Sequence, residues 1–527
     1  MDAARRQTNQ APKQKGFHML KISSRGFGRF ARNNHGNVAI LFGLAIIPIV
    51  LAVGVAVDYG RALMVRERMA DAADASALAI GSWTNLTETQ MKAKAQKFFD
   101  ANYSDSSAVG TASAVKVSFP GEDIVVKVSG TVPTTFMRLA NVDSIDVGAS
   151  STVTRKQRKI ELALVLDTTG SMDSSGKMDA MQAAAKKMVQ TLFKGDKDDV
   201  KIGVVPFSGA VNIGTSNKSS DWLDKGSYPN MSDIAKEDHK FKDGENAWDL
   251  MDDLKNTSWN GCVRERGGSY ELTDDEPAQG VKASLFAPYF APDEPDSDHD
   301  DGDRYTNSYI DDDDCGTNKD SKRTPKRCQQ YTGKYKNAWP SGDGPNLNCP
   351  ASEIQPLTNT QGRVISSIET LKPKGNTVIP AGLLWGWRVL SPAEPFTEGA
   401  DYDSEKWIKA IVLLTDGQNS ISGGRNGRNK SVYNAFGYAR EGHLGKTNGS
   451  KAEEELDDKA LEVCSAIKAK GIQIYTIGFK LYDDDTIKML SKCASKPDMA
   501  YNSPNNSQLA GIFNSIAQGL SELRIAY

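Results

Sequence analysis

Residues 160–172 read IELALVLDTTGSM. The apolar run is too short for an ordinary helix and shows no strict alternation, which is the pattern of a strand buried on both faces. It stops at Asp167 and passes into a polar turn at Gly170. Similar runs recur as VKIGVVPF at 200–207, KAIVLLTD at 409–416 and IQIYTIGF at 472–479. Between and after them lie segments of helical periodicity: 177–193, 453–471 and 505–524. Buried strands alternating with amphipathic helices predict an α/β fold, a doubly wound parallel sheet covered on both faces.

The alternation is interrupted at 208–357, which is rich in Asp, Gly, Asn, Ser and Pro and holds four of the six cysteines. A structureless loop of this length does not fit inside a compact domain. The expectation is an inserted subdomain stapled by disulfides, within a domain covering 156–527. Its most acidic part, 292–314, carries eleven acids and one base, and reads as a solvated loop. A calcium loop is the sharper alternative, but the glycine of DSDHDDG falls at the wrong offset for an EF-hand. All six cysteines lie beyond residue 260 and no CxxC occurs, so disulfides are expected rather than a zinc site. Several pairings are open; the neighbouring ones are Cys464–Cys493 and Cys315–Cys328, with Cys262–Cys349 around the latter.

Toward the N-terminus the chain changes character. Val38–Val57 is twenty residues without a charge, which as a helix spans about 30 Å, the thickness of a bilayer core. A transmembrane helix is therefore assigned to 37–57, with a kink expected at Pro48. Eight basic residues (Arg5, Arg6, Lys13, Lys15, Lys21, Arg25, Arg29 and Arg32) precede it against the single acid Asp2. The positive-inside rule keeps this tail, 1–36, in the cytoplasm and sends the remainder across the membrane. A helical continuation is expected at 58–112 and a small β-rich module at 113–155, where two alternating runs flank Pro120-Gly121. The formal net charge of −3 on 131 charged groups gives no reason to expect nucleic acid.

Chemistry concentrates at the carboxyl ends of the predicted strands, where open α/β sheets bind ligands. Asp167, Thr169 and Ser171 place a carboxylate and two hydroxyls at alternating positions. Asp416, followed by Gly417, ends a second strand, and Thr377 sits on an intervening loop before a helical AGLLWGWRVL. Oxygen-only donors suit a hard cation, Mg²⁺ first, with Mn²⁺ or Ca²⁺ as alternatives. Trp385 and Trp387 read as core residues. The five histidines are scattered, and neither a Ser/His/Asp set nor a phosphate-binding loop appears.

The D-x-T-x-S run, the later loop threonine and the strand-terminal TDG resemble the metal-ion-dependent adhesion site of the von Willebrand factor A family. That resemblance implies a doubly wound sheet. It also implies a cation held by Thr169, Ser171 and Thr377, with Asp167 and Asp416 acting directly or through water. An Asp or Glu carboxylate of a partner protein would fill the open coordination position. Thr169 stands where many members have serine, with the hydroxyl kept. Residues 36–79, together with WNGCVRER, GNTVIPAGLLWGWRVLSP and SQLAGIFNSIAQGLSELR, resemble TadG-type tight-adherence pilus proteins. This implies a non-enzymatic pilus-assembly or adhesion component of the bacterial inner membrane, with its C-terminal domain periplasmic or extracellular and pilus or secretion-apparatus components as partners. Class III prepilins carry Glu five residues after the cleaved glycine; counting from Gly36, this chain has Leu41. An envelope adhesin unrelated to pili is the alternative, followed by a metal-dependent hydrolase, for which no general base is evident near the motif.

Overall fold

A computed structural model of the chain describes residues 37–82, 86–103, 110–121, 123–154, 158–194, 197–225, 246–296, 305, 307–311, 328–421 and 429–523. The expected basic tail and most of the acidic run lie outside them. The chain divides into two compact units, Met1–Thr154 and Arg155–Tyr527.

The first unit is a long helix laid along a small antiparallel sheet. Helix α1 (Asn37–Gly81) is unbroken at Pro48, and α2 (Glu88–Asn102) starts at a Thr87–Gln90 capping box. Strands β1 (Thr111–Ala112), β2 (Lys116–Ser118), β3 (Asp123–Pro133) and β4 (Ser144–Thr154) follow, with β3 paired to the other three. β1 falls within the stretch expected to be helical; its two residues are too few for periodicity to reveal. From Gly54 on, α1 buries a stripe that includes Ala62, Val65, Met69, Ala73, Ala77 and Ile80 against Ile124, Val126, Val128 and Val132 of β3. Before that point its apolar side chains are exposed, and the helix is long and apolar enough to cross a membrane.

The second unit begins with β5 (Lys159–Asp167), α3 (Lys177–Leu192), β6 (Val200–Phe207), β7 (Val211–Asn212), α4 (Ala247–Asp253) and β8 (Cys262–Val263). It continues through β9 (Gln355–Thr358), α5 (Gln361–Glu369), α6 (Ile379–Leu390), β10 (Trp407–Thr415) and α7 (Gly449–Ala469). It closes with β11 (Gln473–Phe479), α8 (Asp484–Cys493), β12 (Ala500–Ser503) and α9 (Asn506–Leu523). The strand order is β12-β11-β10-β5-β6-β7-β8, with β9 beside β6. The five strands β12 to β6 are parallel, and β7, β8 and β9 add antiparallel pairings at the β6 side. Side chains of β5 alternate between two cores. Ile160, Leu162, Leu164 and Leu166 pack with α3, α5 and α9, whereas Ala163 and Val165 pack with α6, α7 and α8. Helices therefore cover both faces, and the doubly wound parallel sheet predicted from the sequence is present.

The described part of the stretch 208–357 packs onto the sheet. Trp222, Phe286, Tyr289 and Tyr335 join the same cluster as Val165 and α6. Phe286 lies 4.9 Å from Trp385, ring centre to ring centre. The physical reason is that one face of the sheet and α6 are too apolar to be left to solvent, and the insertion's aromatics cover them. Trp385 and Trp387 are buried as expected. Cys262–Cys349 and Cys464–Cys493 are both formed; the Cys315–Cys328 expectation involves a residue outside the described set. The solvated-loop reading of 292–314 fails at its start. Asp293 is buried, accepts from the Tyr309 and Ile310 amides, and pairs with Lys334 Nζ at 2.6 Å, while Glu294 is buried and accepts from the Asn307 amide.

Candidate metal-binding site

Asp167 ends β5, and Asp416 follows the last residue of β10. Because β5 and β10 are adjacent, parallel and paired Leu166 to Leu414, both carboxylates emerge at the carboxyl edge of the sheet, Asp416 one residue beyond the level of Asp167. Thr415 Oγ1 donates to Asp167 Oδ2 at 2.7 Å, and the Thr169 amide donates to Asp167 Oδ1 at 2.8 Å. These bonds hold the Asp167 carboxylate in one orientation.

The turn after β5 carries the hydroxyls. Thr169 is extended and starts a single 3₁₀ turn, Gly170–Asp173, which brings Thr169 Oγ1 and Ser171 Oγ to 2.9 Å of each other. Ser171 Oγ also donates to Asp416 Oδ1 at 2.5 Å. The Thr377 loop is tied to this turn by Gly170 N donating to Gly375 O at 2.9 Å and Lys374 N to Thr168 O at 2.7 Å. Thr377 itself forms a backbone bridge to Ser420. At Gly417 an added Cβ would stand 3.8 Å from Thr377 Oγ1 and 4.0 Å from Ser171 Oγ. The structure thus brings Asp167, Thr169, Ser171, Thr377 and Asp416 together from three loops. Ser171 is the exposed member; the other four are buried.

Sequence reasoning missed Lys177. Its Nζ lies 2.7 Å from Asp416 Oδ2, on a side chain that is 13% exposed. A signal was available: Lys177 opens α3, where the helix dipole disfavours a cation unless a partner repays it. It also missed Thr415, whose hydroxyl orients Asp167.

The two carboxylates act on each other's charge. Burial first, and the Asp416 carboxylate second, push the Asp167 carboxyl up to about 6, against hydrogen bonds from Thr169 and Thr415 that lower it. Two carboxylates held this close lack positive charge, and Lys177 supplies one ammonium. Hard oxygen donors around an excess of negative charge fit a divalent ion of the Mg²⁺ type. Among the described residues no group of three or more His, Cys, Asp or Glu side chains forms a metal cluster, so such an ion would rest on two carboxylates completed by hydroxyls and water.

Comparison with known proteins adds the following. Residues 36–81 match the family model described as "Putative Flp pilus-assembly TadE/G-like". The match covers α1, the helix whose sequence carries the TadG-type resemblance. No curated protein matches the chain. Similar solved structures include the pilus adhesin SpaC from Lactobacillus rhamnosus GG, at 12% identity and TM-score 0.32, covering 80% of this chain and 35% of SpaC. The von Willebrand factor domain of the type V pili tip protein Mfa5 from Porphyromonas gingivalis is 11% identical with TM-score 0.32, covering 70% of this chain and 97% of that one. The pilus adhesin RrgA from Streptococcus pneumoniae is 9% identical with TM-score 0.33, covering 77% and 49%. The chain thus spans about a third of SpaC's length. Strand order and register, not these similarities, define its fold.

Proposed function

We propose that this chain is a non-enzymatic, membrane-anchored component of a pilus-assembly or adhesion system, and that its C-terminal unit binds a partner protein through a divalent cation. The observation that carries the reading is the convergence of Asp167, Thr169, Ser171, Thr377 and Asp416 from three loops at one sheet edge, with Lys177 already on Asp416. The TadE/G-like match over 36–81 supports the pilus setting.

Each residue has a separate task. Asp167, fixed by Thr415 and the Thr169 amide, supplies buried negative charge. Asp416 supplies the second carboxylate, and its release from Lys177 frees an oxygen. Thr169, Ser171 and Thr377 offer neutral oxygens, so the centre remains close to neutral with a divalent ion. The cation, when bound, supplies a Lewis-acidic position for a partner's Asp or Glu carboxylate.

Calorimetry of the detergent-solubilised full chain with MgCl₂, followed by pull-down of pilus components in Mg²⁺ or EDTA, tests the reading. Binding in the micromolar to millimolar range, lost in Asp416→Ala and weakened in Thr169→Ala, is expected. Absence of any divalent-ion binding at millimolar concentration, or partner capture equal in EDTA, refutes it.

A further inference from the structure

The loop between β3 and β4, at the end of the first unit's sheet where Pro133 pairs with Ser144, exposes large apolar side chains on a short, well-tied turn. Leu139 is 76% exposed, and Phe136 and Val142 are each 37% exposed. In water such a tip gains nothing from holding these groups in the open.

Its position along α1 gives the reason. The Phe136 side chain packs on Gly54: a Cβ built there would fall 2.4 Å from Phe136 Cβ. Gly54 lies inside the uncharged run, before Val55, Ala56 and Val57, so the Phe136 side chain rests on the helix about one turn, roughly 6 Å, before the Asp58 backbone, while its amide is held by the Asp58 carboxylate. Asp58, the first charged residue after the run, is buried. Its carboxylate accepts the Thr135 amide at 3.0 Å and the Phe136 and Met137 amides at 2.8 Å each.

A second observation is independent of the first. Several of the loop's remaining peptide groups are paired within it. Leu139 N donates to Phe136 O, Asn141 N to Arg138 O, Val142 N to Met137 O, and Thr134 N to Asp143 O. The Thr134 hydroxyl donates to Val142 O. Peptide groups paired in this way are what a segment needs where water is scarce. Arg138 is exposed at the tip beside Asp143, and its long stem can hold the guanidinium at headgroup level while neighbouring apolar groups go deeper.

We propose that residues 134–142 form a second membrane contact, a turn that inserts Phe136, Leu139 and Val142 into the headgroup–acyl boundary of the leaflet through which α1 leaves the bilayer. This rests on reading α1 as a membrane span. The contact fixes the height and rotation of the first unit on the bilayer, which a single helix leaves free. A pilus-assembly anchor thus presents its sheet in a set orientation.

The test uses the full chain with its disulfides oxidised, reconstituted in vesicles of phosphatidylethanolamine and phosphatidylglycerol. Nitroxide labels are placed singly at Leu139→Cys, at Leu44→Cys within the span, and at Thr152→Cys at the opposite end of the β3–β4 hairpin. Collisional accessibility is compared between oxygen, which concentrates in lipid, and a water-soluble nickel chelate. The expected oxygen-to-nickel ratio is high at 44, intermediate at 139 and several-fold lower at 152. A ratio at 139 equal to that at 152, with 44 still in lipid, overturns the inserted turn and leaves the span intact. Nickel access at 44 overturns the span itself, and the turn with it. Spin–spin broadening at 139 would show a second copy covering the patch and also overturn the lipid assignment.

Discussion

At the residue scale, Lys177 and Asp416 make opposing demands. The ammonium neutralises a carboxylate beside the buried Asp167, yet it occupies the oxygen a cation would need. A hydrogen bond between charged groups contributes about 1.5–3 kcal/mol, so replacing the lysine should separate the two effects. Lys177→Met is expected to lower the melting temperature of the metal-free protein and to tighten Mg²⁺ binding by roughly tenfold, about 1.4 kcal/mol. Calorimetry and thermal melts with and without EDTA check this; an unchanged Mg²⁺ affinity would make Lys177 a structural strut only. Asp167 makes a pH-dependent prediction. Its folded-state pKa, near 6, lies above the ordinary 3.8. Below about pH 4 the group is protonated in both folded and unfolded chains and contributes nothing. As pH rises from about 4 to about 6 the unfolded chain ionises before the folded one, so the metal-free fold loses up to on the order of 3 kcal/mol, and above about 6 the loss is complete. Asp167→Asn should therefore be the more stable metal-free protein at pH 7.5, with the difference vanishing near pH 4, and should lose Mg²⁺ binding. Urea unfolding of both proteins across this range, in EDTA, measures the sign directly.

At the element scale, α6 shows how the sheet accepts its covering helix. Gly382 and Gly386 face β5 and β6: a Cβ at Gly382 would meet Phe207 Cγ at 2.6 Å, and one at Gly386 would meet Val165 Cγ2 at 2.4 Å. These two positions let α6 lie close enough to bury Trp385 while its indole N–H reaches Glu265 at 2.9 Å. Gly386→Ala should gain helix propensity of about 1 kcal/mol and lose more to overpacking, typically 1–3 kcal/mol and more where backbone cannot shift. A net loss in denaturant midpoint is expected, and a stabilised variant would show that α6 can move away from the sheet. The glycine spacing stood in the sequence, but its meaning depends on which face meets the sheet, and only the fold decides that. The strands β5, β6, β10 and β11 were legible because strands buried on both faces write themselves as continuous apolar runs. By contrast β1, β7 and β8, of two residues each, and β9, of four, are too short to carry a period. Asp293 and Glu294 read as solvated acids because composition reports charge and not the amides and ammonium folded against it. At the site, D-x-T-x-S and TDG were legible because each follows an apolar run directly. Lys177 was legible only as a cation at a helix start; that its partner is Asp416, 239 residues away, is decided by the fold.

At the scale of the whole molecule, two features with no residue in common point to the same side of the membrane for the large unit. The basic tail before Val38, with eight bases and one acid, is the kind of flank that the positive-inside rule expects in the cytoplasm. The bonds Cys262–Cys349 and Cys464–Cys493 suit an oxidising compartment and not the cytosol. A cytoplasmic C-terminal unit would satisfy neither: it would place the basic flank outside and hold these thiols in a reducing pool. In the proposed orientation the large unit, with Asp167 and Asp416, would lie on the envelope side of the membrane. Protease added to spheroplasts is therefore expected to digest the chain beyond Asp58 while leaving a short N-terminal fragment protected by the membrane, and permeabilisation should be needed to remove an epitope placed before Val38. The large unit should migrate differently with and without reductant when isolated from the same cells. Protection of residues 155–527 in intact spheroplasts would reverse the orientation. Recovery of that unit with free thiols would agree with the reversal and would remove the envelope as the place where the metal site acts.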